Sequence, residues 1–158
     1  GQVIFEGSNI SEGRGTTTPF EVFGAPFIDP ARLLDFMGGP RLPGAVLRPV
    51  AFEPMFHKWA QETCRGLHIH LTRPELYNAY ETSLKLLQAI LYHYPGTFQW
   101  RQPPYEYEWE KLPIDLITGS DRIRRQLEQM APIEAMAASW QTDVTTFKEE
   151  KAVFHLYD

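Results

Sequence analysis

The pattern of apolar residues predicts strands in residues 44–54 and 66–72 and a short buried strand that runs into a loop in residues 3–10. Residues 20–28 are apolar but contain Gly24 and Pro26, which predicts two short extended pieces. The stretch 66–72 is the clearest strand, because apolar residues alternate with the histidines at positions 68 and 70 and alternate residues of a strand lie on opposite faces. Pro49 lies inside the stretch 44–54, which predicts an edge strand or a bulge there. Residues 97–100 predict one more short strand.

Two short helices are predicted by the residues at their ends. Asp29 is a suitable N-cap, Pro30 follows at the first helical position, and Gly38 ends the helix. In the sequence TGSDRIRRQLEQM, Thr118 or Ser120 opens the second helix.

Two longer helices are predicted by apolar residues at three- and four-residue spacing. Thr72 and Glu75 form a T-x-x-E capping box, and the stripe that follows consists of Leu76, Tyr80, Leu84, Leu87, Leu91 and Tyr94. The other helix starts at Pro132, and its apolar side consists of Ile133, Met136, Trp140, Val144, Phe147 and Phe154. Strands and helices alternate irregularly, so the sequence predicts a single α+β domain in which a small mixed or antiparallel sheet packs with several helices.

The composition excludes several classes of function. A chain of 158 residues fits one domain, and a net charge of −5 argues against an extended nucleic-acid surface, which needs clustered Lys and Arg. No apolar run approaches the roughly 18 residues of a membrane span. The single cysteine, Cys64, excludes an internal disulfide.

The stretch EGSNISEGRGTT, residues 6–17, concentrates functional groups directly after an apolar run. Carboxylates and an amide hydrogen-bond vicinal hydroxyls, and an arginine binds a carboxylate or phosphate through two parallel N–H groups. Its glycines allow a close approach of backbone to a ligand. The stretch therefore suits a ligand that carries several hydroxyls and an acid.

A purely structural interpretation of the same stretch remains open. In it Glu12 pairs with Arg14, the threonines at 16–18 cap backbone amides, and nothing binds. The spacing lacks both the Walker lysine and the G-x-G-x-x-G pattern of dinucleotide sites, so no nucleotide cofactor is predicted.

Two further patterns, a pair of histidines and a run of aromatic residues, each allow a functional and a structural interpretation. His68 and His70 lie on one strand face, a spacing that metal sites use, but no third ligand is evident and no metal is predicted. The sequence PPYEYEWE, residues 103–110, offers aromatic rings on which sugars stack. The alternative, that its aromatic rings pack on the core while the acids face water, is the favoured interpretation.

The segment FEGSNISEGRGTTTPFEVFGAPFID resembles the start of the C-terminal domain of the exo-β-N-acetylmuramidase NamZ family. The resemblance continues in LPGAVLRPVAFEPMFHKW, in CRGLHIHLT and in LITGSD, and so covers essentially the whole chain. Two positions depart from the family pattern. Ser8 replaces the usual Thr, and His57 precedes Lys58 where Ser is common.

The resemblance implies a bacterial enzyme of two domains that removes terminal N-acetylmuramic acid from peptidoglycan fragments. Residues 1–158 would be the smaller C-terminal domain, which closes a cleft against a Rossmann-like N-terminal domain of the same polypeptide. That absent domain would carry the acid/base glutamate. The implied partners are therefore this domain and a muropeptide or other saccharide with N-acetylmuramic acid, no cofactor is expected, and the implied location is secreted, periplasmic or in the cell envelope.

The resemblance also implies roles for the opening stretch. We expect substrate contacts, or support for the loop that makes them, from Glu6, Asn9, Ser11, Glu12, Arg14 and Thr16. Arg14 is expected to meet the lactyl carboxylate of muramic acid. Glu12 is a weak candidate for a second catalytic carboxylate, because glycosidases use a pair of carboxylates. Two other functions stay open: a stand-alone carbohydrate- or peptidoglycan-binding module, and a structural cap without ligand contacts.

Overall fold

The computed structural model describes residues 2–156. Within this range, β-strands form at β1 Val22–Ala25, β2 Arg41–Leu42, β3 Ala45–Phe52 and β4 Cys64–Leu71. They make one antiparallel sheet in the order β1-β4-β3-β2. β2 pairs only with the first two residues of β3, so Pro49 lies where β3 has a partner on one side alone, as predicted.

The helices are α1 Pro30–Met37, α2 Ala79–His93, α3 Pro113–Ile117, α4 Asp121–Glu128 and α5 Ile133–Ala152. The predicted caps of the two short helices are confirmed. Asp29 accepts a hydrogen bond from the backbone N–H of Ala31 at 3.0 Å, Gly38 ends α1 with φ of 81°, and Ser120 caps α4. Strands and helices together confirm the predicted α+β class.

The core combines buried side chains of the sheet, α1 and α2, and α1 packs against both α2 and the sheet. Leu33, Leu67 and Leu87, from these three elements, are fully buried. The opening segment joins this core through Phe5, whose ring stacks on that of Phe23 with centroids 4.6 Å apart. Residues at the start of the chain are therefore fixed to the sheet.

The prediction of a strand at residues 3–10 is wrong. Gln2–Gly7 forms a 3₁₀ helix, and the backbone then pairs with the sheet through an isolated bridge between Ser11 and Gly24. Ile4 and Phe5 are both buried although they are neighbours, which a strand with one buried face does not allow. A short apolar run does not distinguish a strand from a helical turn.

The predicted start of α2 and the predicted strand at 97–100 are also wrong. The backbone N–H groups of Thr72 and Arg73 both donate to the carbonyl of Gly44, so the chain is still tied to the end of the β3–β4 hairpin at that point. Asn78 caps α2 instead and accepts from the N–H of Glu81 at 3.1 Å. Residues 97–100 make only an isolated bridge, between Trp100 and Ser8.

α5 buries only part of its predicted apolar side. Ile133 and Met136 are buried, whereas the side chains of Phe147 and Phe154 are 62% and 79% exposed. The far end of this helix and the residues after it thus present apolar groups to the outside. Among residues 2–156, no helix combines the length and the apolar character needed to cross a membrane.

Gly66 on β4 faces Gly24 on β1, and the two backbones lie too close for side chains between them. A Cβ on Gly66 would stand 1.8 Å from the carbonyl oxygen of Phe23. Gly66→Ala should therefore lower the free energy of unfolding by about 3 kcal/mol or more, the upper range for overpacking, as measured by urea denaturation. Gly96→Ala is the matched control, because a Cβ there meets no atom within 4 Å, and it should change stability by less than about 0.5 kcal/mol. Equal stability of the two variants would contradict the close approach of β1 and β4.

Candidate functional site

The opening stretch forms a turn that packs against the loop between β3 and β4. Gly13 and Gly15 have φ of 81° and 84°, a conformation that glycine adopts without strain. The N–H of Met55 donates to the carbonyl of Gly15 at 2.9 Å, and a Cβ on Gly15 would stand 2.7 Å from the carbonyl oxygen of Phe56. The two loops are therefore in backbone contact.

The buried side chain of Lys58 connects these two loops through hydrogen bonds. Its ammonium group donates to the carbonyl of Phe5 at 2.8 Å, to the carbonyl of Ile10 at 2.9 Å and to Oε2 of Glu12 at 2.9 Å. The side chain is only 15% exposed. All three hydrogen atoms of the ammonium group have a partner, so the buried charge is compensated. Burial is the largest influence on the pKa of Lys58 and lowers it, while Glu12 acts to raise it.

Trp59 adds a second fixed point to the same loop. Its indole N–H donates to the carbonyl of Asn9 at 2.6 Å. His57, Trp59 and Gln61 all have positive φ, between 58° and 77°, which costs free energy for residues other than glycine. The contacts of Lys58 and Trp59 hold the loop in this path, so its side chains have defined positions.

The carboxylate of Glu12 is fully buried beneath the turn. Besides Lys58, the Nε atom of Arg14 lies 3.1 Å from Oε1 of Glu12, and Nδ1 of His57 lies 3.5 Å from the same oxygen. Neither contact has hydrogen-bond geometry, so Oε1 has no hydrogen-bond donor among residues 2–156. The carboxylate holds cationic side chains from both loops by charge attraction.

Glu6 connects the turn to the loop that follows Trp100. Its carboxylate accepts from Nη2 of Arg14 at 2.5 Å and from the hydroxyl of Tyr105 at 2.9 Å. Burial acts to raise the pKa of Glu6, but the hydrogen bonds from Arg14 and Tyr105 outweigh it, and the net pKa is lowered. Burial and the Glu6 carboxylate raise the pKa of Tyr105 to about 12. The phenol therefore stays protonated and donates at neutral pH.

Asn9 binds the segment before Trp100, whereas Ser11 and Thr16 use their side chains within the turn. Asn9 donates to the carbonyl of Thr97 at 2.9 Å and accepts from the N–H of Gln99 at 3.1 Å. Ser11 accepts from the N–H of Gly13 at 3.2 Å, and Thr16 donates to the carbonyl of Gly13 at 2.7 Å. The structure thus brings all six predicted residues into one loop system. Glu6 and Arg14 line an open concavity, and Asn9 borders a second one.

The first concavity, of about 370 Å³, is lined by charged and aromatic side chains: Glu6, Arg14, Phe56, His57, Arg101, Tyr105 and Glu106. The second, of about 440 Å³, is lined by Ser8, Asn9, His57, Lys58, Gln99, Trp100, Arg101 and Gln102, most of them residues with a polar end on an apolar stem or ring. His57 and Arg101 line both, so the two concavities are neighbours. We call the pair the His57–Arg101 groove.

A tight turn next to the groove presents aromatic rings to the outside. Tyr105 and Glu108 exchange two backbone hydrogen bonds of 3.0 Å, and the Glu108 carboxylate accepts from the N–H groups of Trp109 and Glu110 at 2.9 Å. Tyr107 and Trp109 are 97% and 73% exposed. The favoured interpretation of PPYEYEWE, with its aromatic rings on the core, is therefore wrong for these two residues.

A larger concavity, of about 540 Å³, is lined by Phe20, Glu21, His70 and Tyr77 among others. This concavity does not suit an acidic ligand. The carboxylate of Glu21 lines it and would repel an anion, and burial lowers the pKa of His70, which disfavours a positive charge there. The rings of His68 and His70 are tilted by 34° to each other, with centroids 3.8 Å apart. Within residues 2–156, no three His, Cys, Asp or Glu side chains gather as metal ligands.

Sequence reasoning missed Lys58 and Arg101 as parts of the site. Lys58 lies 46 positions after Glu12 in the chain, and Arg101 stands alone between aromatic and proline residues, far from the one basic cluster. Lys58 lies in the family-like segment that ends in HKW, but no role for its side chain followed from that segment, and Arg101 lies in none of the quoted segments. Their role follows from contacts between distant segments, which the order of residues does not reveal.

Removing the Lys58 ammonium tests its function as a clamp. Lys58→Met leaves the Glu12 carboxylate buried without its main partner, so the free energy of unfolding should fall by about 3–5 kcal/mol in urea denaturation. Adding Glu12→Gln to that variant should recover part of the loss, because the uncompensated charge disappears. Lys111→Met, on the surface, is the control. A loss below about 1 kcal/mol for Lys58→Met would contradict the clamp.

The lowered pKa of Glu6 predicts acid sensitivity. The unfolded chain binds a proton at the ordinary value of 4.5, whereas the folded state resists protonation. The Glu6 carboxylate thus stabilises the folded state fully above its ordinary pKa of 4.5, and this stabilisation is lost as pH falls through the lower pKa of the folded state. Urea denaturation between about pH 5 and pH 2 should show a shallower fall for Glu6→Gln than for the parent. The exposed Glu149→Gln should keep the parental slope, and a parental slope in Glu6→Gln would refute the assignment.

The chain was compared with known proteins. The family model described as "Exo-beta-N-acetylmuramidase NamZ, C-terminal" matches residues 1–157. The peptidoglycan beta-N-acetylmuramidase NamZ of Bacillus subtilis (strain 168) is 30% identical over 154 residues, which are 98% of this chain and 35% of that protein.

Two solved structures have a similar fold. Both are DUF1343 family proteins of Bacteroides fragilis NCTC 9343, with TM-scores of 0.80 and 0.56 and identities of 24% and 22%. Each match covers 99% of this chain, and 40% and 38% of the respective structures. The chain therefore spans little more than a third of the length of these relatives. Because the family model covers nearly every residue, the chain belongs to the family of NamZ C-terminal domains.

Proposed function

We propose that this chain forms one wall of the cleft of an exo-β-N-acetylmuramidase, which removes terminal N-acetylmuramic acid from peptidoglycan fragments. The observation that carries the proposal is the His57–Arg101 groove, where charged and aromatic side chains from three separate segments converge. A sugar with several hydroxyls and one acid matches this mixture of groups. The Bacillus subtilis relative, by its name, acts on the same bond type.

The other wall, in this proposal, is an N-terminal domain of the same polypeptide that supplies the catalytic acid. Two observations support it: the matched region is only 35% and 40% of the length of two relatives, and α5 exposes apolar groups such as Phe147 that a neighbouring domain would cover. The substrate lies in the bacterial envelope, so we propose a secreted or periplasmic protein.

Within the wall, we assign the six predicted residues to two roles. Glu6 and Asn9 border the groove and contact the sugar or its N-acetyl group. Ser11, Glu12 and Thr16 hold the loop through the hydrogen bonds and ion pairs described above. Arg14 lies between these groups, since it lines the groove but is paired with two carboxylates. Glu12 is buried, and we therefore assign it positioning of the cationic side chains rather than chemistry at the glycosidic bond.

A second candidate function is a carbohydrate-binding module that works without a hydrolytic domain. The exposed rings of Tyr107 and Trp109 favour it, because aromatic faces at the edge of a polar groove are suited to stacking against sugars. The two functions share the groove and differ in whether a catalytic domain is attached.

Turnover of a chromogenic N-acetyl-β-muramide separates these functions. The polypeptide that includes the sequence before residue 1 should release the chromophore, and the 158-residue chain alone should not, because the proposed acid lies outside it. An α/β domain of about 200 residues is the expected size of the upstream part. Release by the chain alone would place catalysis within it and favour Glu12. Binding of the sugar without release by either protein would favour the binding module.

A further inference from the structure

The charges around the His57–Arg101 groove are unevenly compensated. Arg14 and Lys58 together face two carboxylates: Arg14 pairs with Glu6 at 2.5 Å and with Glu12 at 3.1 Å, and Lys58 pairs with Glu12 at 2.9 Å. These four side chains cancel one another. An anion that approached Arg14 would compete with two carboxylates already in place.

Arg101 differs from both. Within residues 2–156, its guanidinium has no Asp or Glu oxygen within 4.0 Å and donates no hydrogen bond to another residue. Glu106 lines the same concavity but does not pair with it. Arg101 is therefore the cation of the groove whose charge and N–H groups are available to a ligand.

The position of Arg101 is nevertheless well defined. Its backbone N–H donates to the carbonyl of Gly7 at 2.9 Å. Its guanidinium carbon lies 5.1 Å from the centre of the Tyr105 ring, and the Tyr105 hydroxyl is anchored on Glu6. Stacking uses a face of the guanidinium and leaves the N–H groups at its edge for a planar acid, which they bind in parallel pairs.

His57 is the polar residue that lies beside Arg101 in both parts of the groove. Its side chain is 39% exposed, and it lines both concavities beside Arg101. The backbone of His57 has φ of 77°, fixed by the clamped neighbours Lys58 and Trp59. The buried Glu12 carboxylate lies 3.5 Å from Nδ1 of the ring.

We propose that Arg101, with His57 beside it, is the subsite that binds the carboxylate of an acidic amino sugar, and that Arg14 is a structural cation. This inference rests on the proposed function and refines it, because the lactyl carboxylate is the group that distinguishes N-acetylmuramic acid from N-acetylglucosamine. The 158-residue chain should thus bind the free acid in preference to a neutral analogue of the same size. A charge-assisted bond of this kind corresponds to about a 10- to 100-fold preference.

The test is a titration of the 158-residue chain, followed by NMR, with N-acetylmuramic acid and with its lactyl amide. The parent should bind the acid about 10- to 100-fold more tightly than the amide. Arg101→Gln should bind both equally and keep the parental affinity for the amide. Arg101→Lys keeps the charge but loses the paired N–H groups, so it should show an intermediate preference.

Arg48→Gln is the matched control, because Arg48 is an exposed arginine on β3 that lines neither concavity. It should keep the full preference for the acid. A preference that survives in Arg101→Gln, or is missing from the parent, overturns the subsite. Failure of the proposed function is seen separately: the longer polypeptide then cleaves no N-acetylmuramide, whatever the chain prefers to bind.

Discussion

The buried contact between the Lys58 ammonium and the Glu12 carboxylate holds together the loops that form the groove. Moving two charges out of water costs free energy, and their mutual attraction offsets this only when every donor has a partner. Here the two further donors of Lys58 bind the carbonyls of Phe5 and Ile10. One side chain thereby joins the end of the opening 3₁₀ helix, the glycine turn and the β3–β4 loop. The groove owes its shape to this buried junction.

The same junction divides the charged groups of the site into two sets. One set is internal: Glu6, Glu12, Arg14 and Lys58 neutralise one another and hold the loops. The other set, Arg101 and His57, has charge or donors left for the outside. Most of the charged and polar side chains of the opening stretch therefore bind one another and hold the loops together. In the proposed subsite, the carboxylate of the ligand is bound by Arg101 and His57, which the stretch helps to position.

Local features of the fold were predictable from the sequence, and features that depend on distant contacts were not. The caps Asp29 and Ser120 were correct, since a cap bonds to an amide two residues away. The start of α2 was misplaced because the carbonyl of Gly44 binds the amides of Thr72 and Arg73, some thirty positions away. Arg101 was missed for the same reason. Its environment is made by Gly7 and His57, and no spacing within the sequence connects them.

The left-handed backbone at position 57 has a consequence for how such a site can diversify. The loop is fastened by the side chains at 58 and 59, whereas the ring of His57 makes no hydrogen bond within residues 2–156 and only lies 3.5 Å from the Glu12 carboxylate. A replacement at 57 would leave the fastening intact and change the lining of the groove. Substitutions at position 57 are therefore able to change the ligand preference of the groove during evolution while the fold of the loop stays the same. Glycine and asparagine are the replacements that adopt this positive φ at the lowest cost in free energy.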